Sequence, residues 1–213
     1  MKICIPVYDN VNMLDVCGPM EMFGWAGYET FLAAEKPSAL RFLNGFPFFV
    51  ERSFESVDEA DVLWTPGGDP GALATLINDA SSPYLEFLVR MQPRVQVLAS
   101  VCEGALLLAA AGLLDGYEVT THWAFVPCLT QHFPKVRVAP GHPRFHLDRD
   151  RLTGGGISSG LDEALQLIAM LSGAAVAEGV QRTTQYYPEP PVSSVIPPAT
   201  VCRVDIRRSS RGQ

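Results

Sequence analysis

The sequence predicts an α/β fold, a mostly parallel sheet sandwiched by helices. Apolar segments suited to strands alternate with helical segments along the chain, which is the pattern of a parallel sheet covered on both faces. One strand, Val95–Val101, runs directly into a hydrophobic helix with no loop between them. The 213 residues, 47% of them hydrophobic, are enough to bury a complete core in one domain.

Hydrophobic periodicity and helix-boundary residues place the elements in chain order. The strands are predicted near Ile3–Val7, Tyr28–Ala34, Val62–Thr65, Val95–Val101 and Glu118–Thr121. The helices are predicted near Pro19–Gly24, Ala72–Asn78, Tyr84–Met91, Glu103–Ala111, Ala124–Gln131 and Ser159–Leu171. The turn signal Asn44-Gly45 predicts a small β-hairpin within Leu40–Phe49, and a further β excursion is expected in Val136–Thr153.

The chain is expected to form a single domain over residues 1–190, followed by an extended tail over residues 191–213. From Tyr186 onward the sequence is rich in proline, which neither continues a helix nor donates within a central strand. We therefore expect the last residues to wrap the surface as extended chain.

Charge and hydropathy exclude two classes of partner. The net charge of −7 disfavours a nucleic-acid partner, and the only basic cluster is the short segment Arg203–Arg211. No apolar window reaches transmembrane length, and the chain enters a strand at once, without a leader pattern. The expectation is a cytoplasmic protein that acts on a small molecule, away from membranes.

The cysteines are predicted to be reduced thiols. They stand at positions 4, 17, 102, 128 and 202, an odd number without a Cys-x-x-Cys pair, which indicates neither a disulfide framework nor a zinc site. The histidines also lack the paired spacing of metal ligands. We expect no metal and no organic cofactor.

Cys102 is placed like a nucleophile. A side chain on so sharp a strand-to-helix turn projects from the carboxyl edge of the sheet and faces the amide groups at the start of the following helix. Both the amides and the helix dipole favour a thiolate. The alternative is a buried structural cysteine.

Other chemistry-bearing residues follow strands at the same edge of the sheet, where ligands of parallel sheets bind. These are Asp15, the pair Gly67-Gly68 with Asp69, the run Gly154–Gly156, and His122. Each has a structural alternative. The aspartate can start a helix, the glycines can form a tight turn or a cap, and the histidine can be a packed core residue.

Several motifs occur together along the chain. They are Asp15 with Gly18-Pro19, Pro66-Gly67-Gly68, Ser100-Val-Cys-Glu-Gly104, Ala110-Ala-Gly-Leu-Leu-Asp-Gly116, Thr120-Thr-His-Trp123 and Thr153-Gly-Gly-Gly-Ile157. Together they resemble the ThiJ/PfpI superfamily and, within it, are most similar to bacterial isocyanide hydratases. The resemblance runs from about residue 2 to Pro191 and implies a flavodoxin-like, class I glutamine-amidotransferase-like fold with a nucleophile elbow.

The resemblance implies that Cys102 is the nucleophile and Asp15 a carboxylate facing it. The backbone amides of Gly68 and Glu103 would be donors around the reacting atom, and the backbone carbonyl of Ile157 would lie beside the sulfur. Glu103 departs from the pattern, because isocyanide hydratases carry threonine there and the peptidase branch carries histidine. A second carboxylate opposes the thiolate unless it points away or holds a proton.

The implied reaction is the hydration of an isocyanide to an N-formamide, in which Cys102 attacks and Asp15 donates a proton and then activates water. Gly67, Asp69, Ile157, His122 and Trp123 are expected to line the pocket, and Trp25 and Phe125 are further candidates. The likeness also implies a homodimer. The alternatives are a glyoxalase-like or deglycase-like enzyme acting on α-oxoaldehydes, a ligand sensor related to the amino-terminal half of AraC-type regulators, and a redox-sensing thiol.

Overall fold

A computed structural model describes residues 1–207, and the last six residues, which hold part of the basic segment 203–211, lie outside it. Strands and helices alternate along most of this chain. The elements are β1 (Lys2–Pro6), α1 (Met13–Trp25), β2 (Glu29–Ala34), β3 (Ser38–Arg41), β4 (Pro47–Val50), β5 (Arg52–Ser53), β6 (Val62–Thr65), α2 (Pro70–Asn78), α3 (Pro83–Met91), β7 (Val97–Ser100), α4 (Gly104–Ala110), β8 (Glu118–Val119), α5 (Val126–His132), β9 (Arg137–Val138), β10 (Phe145–Asp148), β11 (Arg151–Gly154), α6 (Ser159–Ser172) and α7 (Ala174–Thr184).

The main sheet has the strand order β10-β11-β7-β6-β1-β2-β5, and every pair except β10 with β11 is parallel. Strands β6, β7 and β11 are buried at every residue. Uninterrupted burial is expected of strands covered on both faces. The helices form two packed groups, α1 with α6 and α7, and α4 with α2, α3 and α5. The predicted fold class is confirmed.

Two β segments exchange their predicted roles. The segment Glu118–Thr121 was expected in the parallel sheet, but β8 is two residues long and pairs with β9 in a separate small sheet. Strand β11, part of the expected β excursion, pairs with β7 instead. Strand β11 is buried at all four residues, as its place inside the sheet requires, whereas β8 and β9 are partly exposed.

The appended hairpin is confirmed, with β3 and β4 antiparallel and Gly45 at a φ of 85° in the turn. The sequence analysis missed β5, which forms the edge beside β2, and helix α7. Helix α7 follows Gly173, whose φ of 88° lets the chain turn sharply after α6.

Helix α1 begins at Met13, six residues before the predicted start at Pro19. A proline inside a helix removes one backbone donor, which leaves the carbonyl four residues earlier without its partner. Here that carbonyl belongs to Asp15, and it accepts a hydrogen bond of 3.0 Å from the indole Nε1 of Trp64 on β6. This side-chain donor compensates for the missing bond and ties the start of α1 to the sheet.

Residues 191–207 form no helix or strand, and residues 208–213 of the predicted tail lie outside the described range. One expectation about the cysteines is wrong. Cys128 on α5 and Cys202 in the tail form a disulfide that joins residues 74 positions apart. Cys4, Cys17 and Cys102 are free thiols. The spacing of cysteines could not reveal this bond, because the tail folds back against α5. Among residues 1–207, no helix has the length and apolar character needed to cross a membrane.

Candidate active site

Cys102 lies on the predicted elbow between β7 and α4. Its φ of 57° is left-handed, a strained conformation for a residue with a side chain, with a cost of order 1–3 kcal/mol. Two hydrogen bonds hold the strained backbone. The Cys102 amide donates to the Gly155 carbonyl at 2.9 Å, and the Thr121 hydroxyl donates to the Cys102 carbonyl at 2.7 Å.

Close packing of the backbone makes this elbow possible. A Cβ atom at Gly104 would lie 1.9 Å from the carbonyl oxygen of Thr65, so only glycine lets α4 begin directly against the end of β6. The tight approach leaves the Cys102 side chain fully buried at the carboxyl edge of the sheet.

Asp15 faces the cysteine from the first turn of α1. Its side chain is fully buried, and its Oδ2 accepts hydrogen bonds from the Gly67 amide at 2.9 Å and from the Asn12 Nδ2 at 3.4 Å. Burial and the charge of Glu103 raise the pKa of Asp15 to about 8, while hydrogen bonds from Gly67, Asn12 and Cys102 act in the opposite direction. At neutral pH Asp15 therefore holds a proton.

Glu103 turns its carboxylate toward the cysteine. Oε2 is 3.5 Å from the Asn12 Nδ2, and a Cβ atom added at Gly67 would lie 2.3 Å from it. Burial raises the pKa of Glu103, whereas hydrogen bonds from the Cys102 thiol and from the backbone amides of Glu103 and Gly68 lower it. The two amides expected to bind the reacting atom are thus engaged by the Glu103 side chain.

The two carboxyl groups differ in their order of ionisation. The negative charge of Glu103 raises the pKa of Asp15, which means that Glu103 is already ionised when Asp15 titrates. We assign the lower pKa to Glu103, which makes it a base beside the protonated acid Asp15.

The Cys102 sulfur is a thiol rather than the expected thiolate. Burial and then the charges of Asp15 and Glu103 raise its pKa well above the ordinary value. A backbone hydrogen bond from Ile157 lowers this pKa, and only an N–H donor can stabilise a thiolate in this way. The Ile157 amide therefore lies near the sulfur, and the Ile157 carbonyl accepts from the Gly160 amide at 3.3 Å.

Ligating atoms of Asp15, Cys102 and Glu103 lie within 4.8 Å of one another, close enough to hold a metal ion. A metal ion would offset negative charge at this site. The protons on the Cys102 thiol and on Asp15, which both remain bound at neutral pH, also limit that charge. The absence of a resident metal stays a prediction, which a chelator control tests below.

A cavity of about 340 Å³ lies beside the elbow, and the buried Cys102, Asp15 and Glu103 are not themselves among its lining residues. Its lining includes Thr121 and Gly155, which hydrogen-bond to the Cys102 backbone, and Ile157, whose amide bonds to the sulfur. His122 and Trp123 also line it. Burial, together with the charge of Arg203, lowers the pKa of His122, so its ring is neutral and contributes shape rather than charge.

Four predicted pocket residues do not line this cavity. Gly67 instead donates its amide to Asp15. Asp69 caps α2, because its Oδ1 accepts from the amides of Gly71 at 2.9 Å and Ala72 at 3.0 Å. The Trp25 side chain is 57% exposed at the end of α1, where its indole donates to Glu21. Phe125 is a core residue packed edge-on to His122.

Sequence reasoning missed Asn12 and Glu163. The Asn12 side chain donates to Asp15, to Glu103 and, at 3.7 Å, to the Cys102 sulfur, so it bridges all three acidic groups. Its position just before α1 was the available signal. Glu163 on α6 is fully buried against Gly154, and burial holds its pKa well above the usual range. The carboxyl group of Glu163 therefore stays uncharged beside Gly154.

A sequence model of the DJ-1/PfpI family matches residues 1–156, which include the elbow and both carboxyl groups. The chain belongs to the DJ-1/PfpI family. Isonitrile hydratase from Pseudomonas putida is 31% identical over 198 residues, which cover 92% of this chain and 83% of that protein. The helix-turn-helix regulator GlxA from Rhizobium meliloti is 39% identical over 114 residues, 54% of this chain but 33% of the regulator.

Solved DJ-1/PfpI structures agree with the fold. The crystal structure of a THiJ/PfpI family protein from Pseudomonas syringae has a TM-score of 0.81 and 32% sequence identity to this chain. The match covers 90% of this chain and 77% of that one. The predicted family is confirmed, and the family contains both an enzyme and regulators.

Proposed function

We propose that this protein hydrates an isocyanide to an N-formamide, with Cys102 as the nucleophile. The observation that carries the proposal is the pair of unlike carboxyl groups on either side of a buried thiol, the protonated Asp15 and the ionised Glu103. Addition of a thiol to an isocyanide needs both an acid and a base at the same carbon.

The first step joins the sulfur to the terminal carbon of R–N≡C. The thiol proton passes to the Glu103 carboxylate, with which the thiol is hydrogen-bonded, and Asp15 gives its proton to the same carbon. The product is a covalent thioimidate, R–N=CH–S–Cys102. Asp15 is left ionised and Glu103 protonated, so charge and protons balance.

The second step consumes one water. The Asp15 carboxylate takes a proton from the water while the water oxygen bonds to the thioimidate carbon. Glu103 gives its proton to the nitrogen of the thioimidate. The carbon–sulfur bond then breaks, the hydroxyl proton moves to the sulfur, and R–NH–CHO leaves. All three side chains recover their starting protonation states.

The engagement of the Gly68 and Glu103 amides favours an isocyanide over an α-oxoaldehyde. Thiol attack on an aldehyde builds negative charge on oxygen, which free backbone donors must stabilise. Here both amides lie near enough to the Glu103 carboxylate to lower its pKa. An isocyanide has no oxygen, and its developing charge lies on the carbon that Asp15 protonates.

The test is an assay of the purified protein with an alkyl isocyanide, in which the formamide is quantified by chromatography. A parallel reaction contains an α-oxoaldehyde, and both are repeated with EDTA. We expect formamide formation, unchanged by the chelator. Turnover of the aldehyde alone would favour the deglycase-like alternative, and turnover of neither substrate would favour a sensor.

The Glu103→Gln variant tests the base. Glutamine keeps the size of the side chain but cannot accept the thiol proton, so we expect kcat/KM for the isocyanide to fall about 100-fold. Removal of the negative charge also lowers the pKa of Asp15, so the loss of activity at high pH should begin at a lower pH. Steady-state rates over a range of pH measure both effects.

Glu86→Gln, on the exposed face of α3, is the matched control and should behave as wild type. An unchanged rate and pH profile in Glu103→Gln would remove Glu103 from the mechanism.

A further inference from the structure

We infer that residues 188–201, the C-terminal strap, form the outer wall of the substrate pocket, that Ile196 limits the size of the group admitted, and that the Cys128–Cys202 disulfide holds this wall in place. The inference rests on the proposed function only in treating the cavity beside Cys102 as the substrate pocket.

Both ends of the strap are anchored. Before it, the Tyr186 hydroxyl donates to the Asp162 carboxylate at 3.3 Å, and that carboxylate pairs with Arg144 at the rim of the cavity. After it, Cys202 is bonded to α5 through the disulfide, and Val204 is buried in the core. The strap therefore spans from the rim of the cavity to Cys128 on α5.

Between these anchors the strap is weakly held. Its Thr200 carbonyl accepts a hydrogen bond of 3.0 Å from the Gln131 side chain, but residues 188–199 make no hydrogen bond to another residue within the described range 1–207. Since little else fixes its path, the disulfide is the strongest constraint on where the strap lies.

Ile196 is the strap residue that lines the cavity. Its neighbour Val195 is 91% exposed, whereas Ile196 is 48% exposed because one side of it faces the cavity. The rest of the lining includes the apolar side chains of Leu14, Trp123 and Ile157. These surroundings suit a compact apolar substituent and restrict a bulky one.

The disulfide makes this restriction sensitive to reduction. A dithiol reductant gives two electrons and two protons to the bond, which becomes the separate thiols of Cys128 and Cys202, while the reductant becomes a cyclic disulfide. The strap then loses its covalent anchor at the end nearest Ile196. The pocket should admit larger groups in the reduced protein.

Alkylation of Cys102 tests the wall without requiring turnover, so a failure of the proposed function leaves this test intact. The rates with iodoacetamide and with the bulkier N-phenylmaleimide are measured at pH 9.5 by peptide mass spectrometry. In Ile196→Ala the rate ratio of bulky to small reagent should rise about tenfold, as expected when an apolar wall is cut back. Val195→Ala is the control and should leave the ratio unchanged.

The second arm compares the oxidised protein with the dithiol-reduced, desalted protein and with the Cys128→Ser/Cys202→Ser variant. The reduced protein and the double variant should show the same rise in the rate ratio relative to the oxidised protein. Equal ratios in all three would overturn the role of the disulfide, and an unchanged ratio in Ile196→Ala would overturn the wall itself. An absence of Cys102 alkylation in every variant would also count against the wall, since something else would then restrict access.

Discussion

The Cys102→Ser variant is expected to lose at least about 10⁴-fold in kcat/KM for an alkyl isocyanide, the scale of loss seen when a covalent nucleophile is removed. A serine hydroxyl is far less acidic than a thiol, and the site is buried and holds two carboxyl groups. The Glu103 carboxylate would therefore not deprotonate the serine hydroxyl. Formamide release, followed by chromatography, measures the loss, and circular dichroism checks the fold.

Cys17→Ser provides the matched control, because Cys17 is also a free thiol but is partly exposed on α1. It should keep wild-type activity. If Cys102→Ser retained its rate within about tenfold, the reaction would have to run through the two carboxyl groups without a covalent intermediate.

The sequence allowed the elbow to be predicted because three local signals agree there. The apolar run of β7, the helix that starts at Gly104 and the lack of a loop between them fix the direction of the Cys102 side chain before any tertiary contact is known. Asp15 was also found, although its helix begins earlier than predicted. The indole donor of Trp64 that offsets Pro19 comes from a strand far away in the sequence.

Long-range contacts decided what could not be predicted. The orientation of Glu103 depends on the Gly68 amide, which follows another strand. The sequence alone therefore could not show whether the Glu103 carboxylate points toward Cys102 or away from it. The bond between Cys128 and Cys202 depends on the path of a proline-rich tail. The central place of β11 depends on its pairing with β7, while its own residues resemble those of an edge excursion.

The same site geometry bears on how enzymes and regulators can share this domain. A buried thiol with a pKa well above its ordinary value reacts slowly as a free nucleophile, so catalysis depends on an adjacent base. In the proposed mechanism Glu103 supplies that base. A relative without a base and an acid around the thiol would still have a cavity that binds a ligand but would not catalyse the reaction. Binding without turnover is what a ligand-sensing domain requires.

The Asp15→Asn variant should lose between about 10² and 10⁴-fold in kcat/KM, the contribution expected of a general acid. Asparagine keeps the shape of the protonated carboxyl group but has no acidic proton for the isocyanide carbon. In the wild type the same proton is lost as the pH rises through about 8, so activity should fall above that pH. Rates across pH 6 to 10, an interval of about two units on either side of that pKa, measure both effects.

Stability provides an independent test of the same proton. In the unfolded chain Asp15 ionises near its ordinary pKa of 3.8, but in the folded protein it keeps its proton up to about 8. The folded state therefore binds more protons between these values, and its free energy of unfolding falls as the pH rises, by several kcal/mol for this group. Asp15→Asn removes that loss, so the variant should melt at a higher temperature than wild type at pH 8 and at a similar one near pH 4.

The exposed substitution Asp58→Asn is the control and should leave the melting temperature unchanged at both pH values. An Asp15→Asn protein that melts below wild type at pH 8 would mean that Asp15 is ionised in the folded site, and its role as the acid would fail.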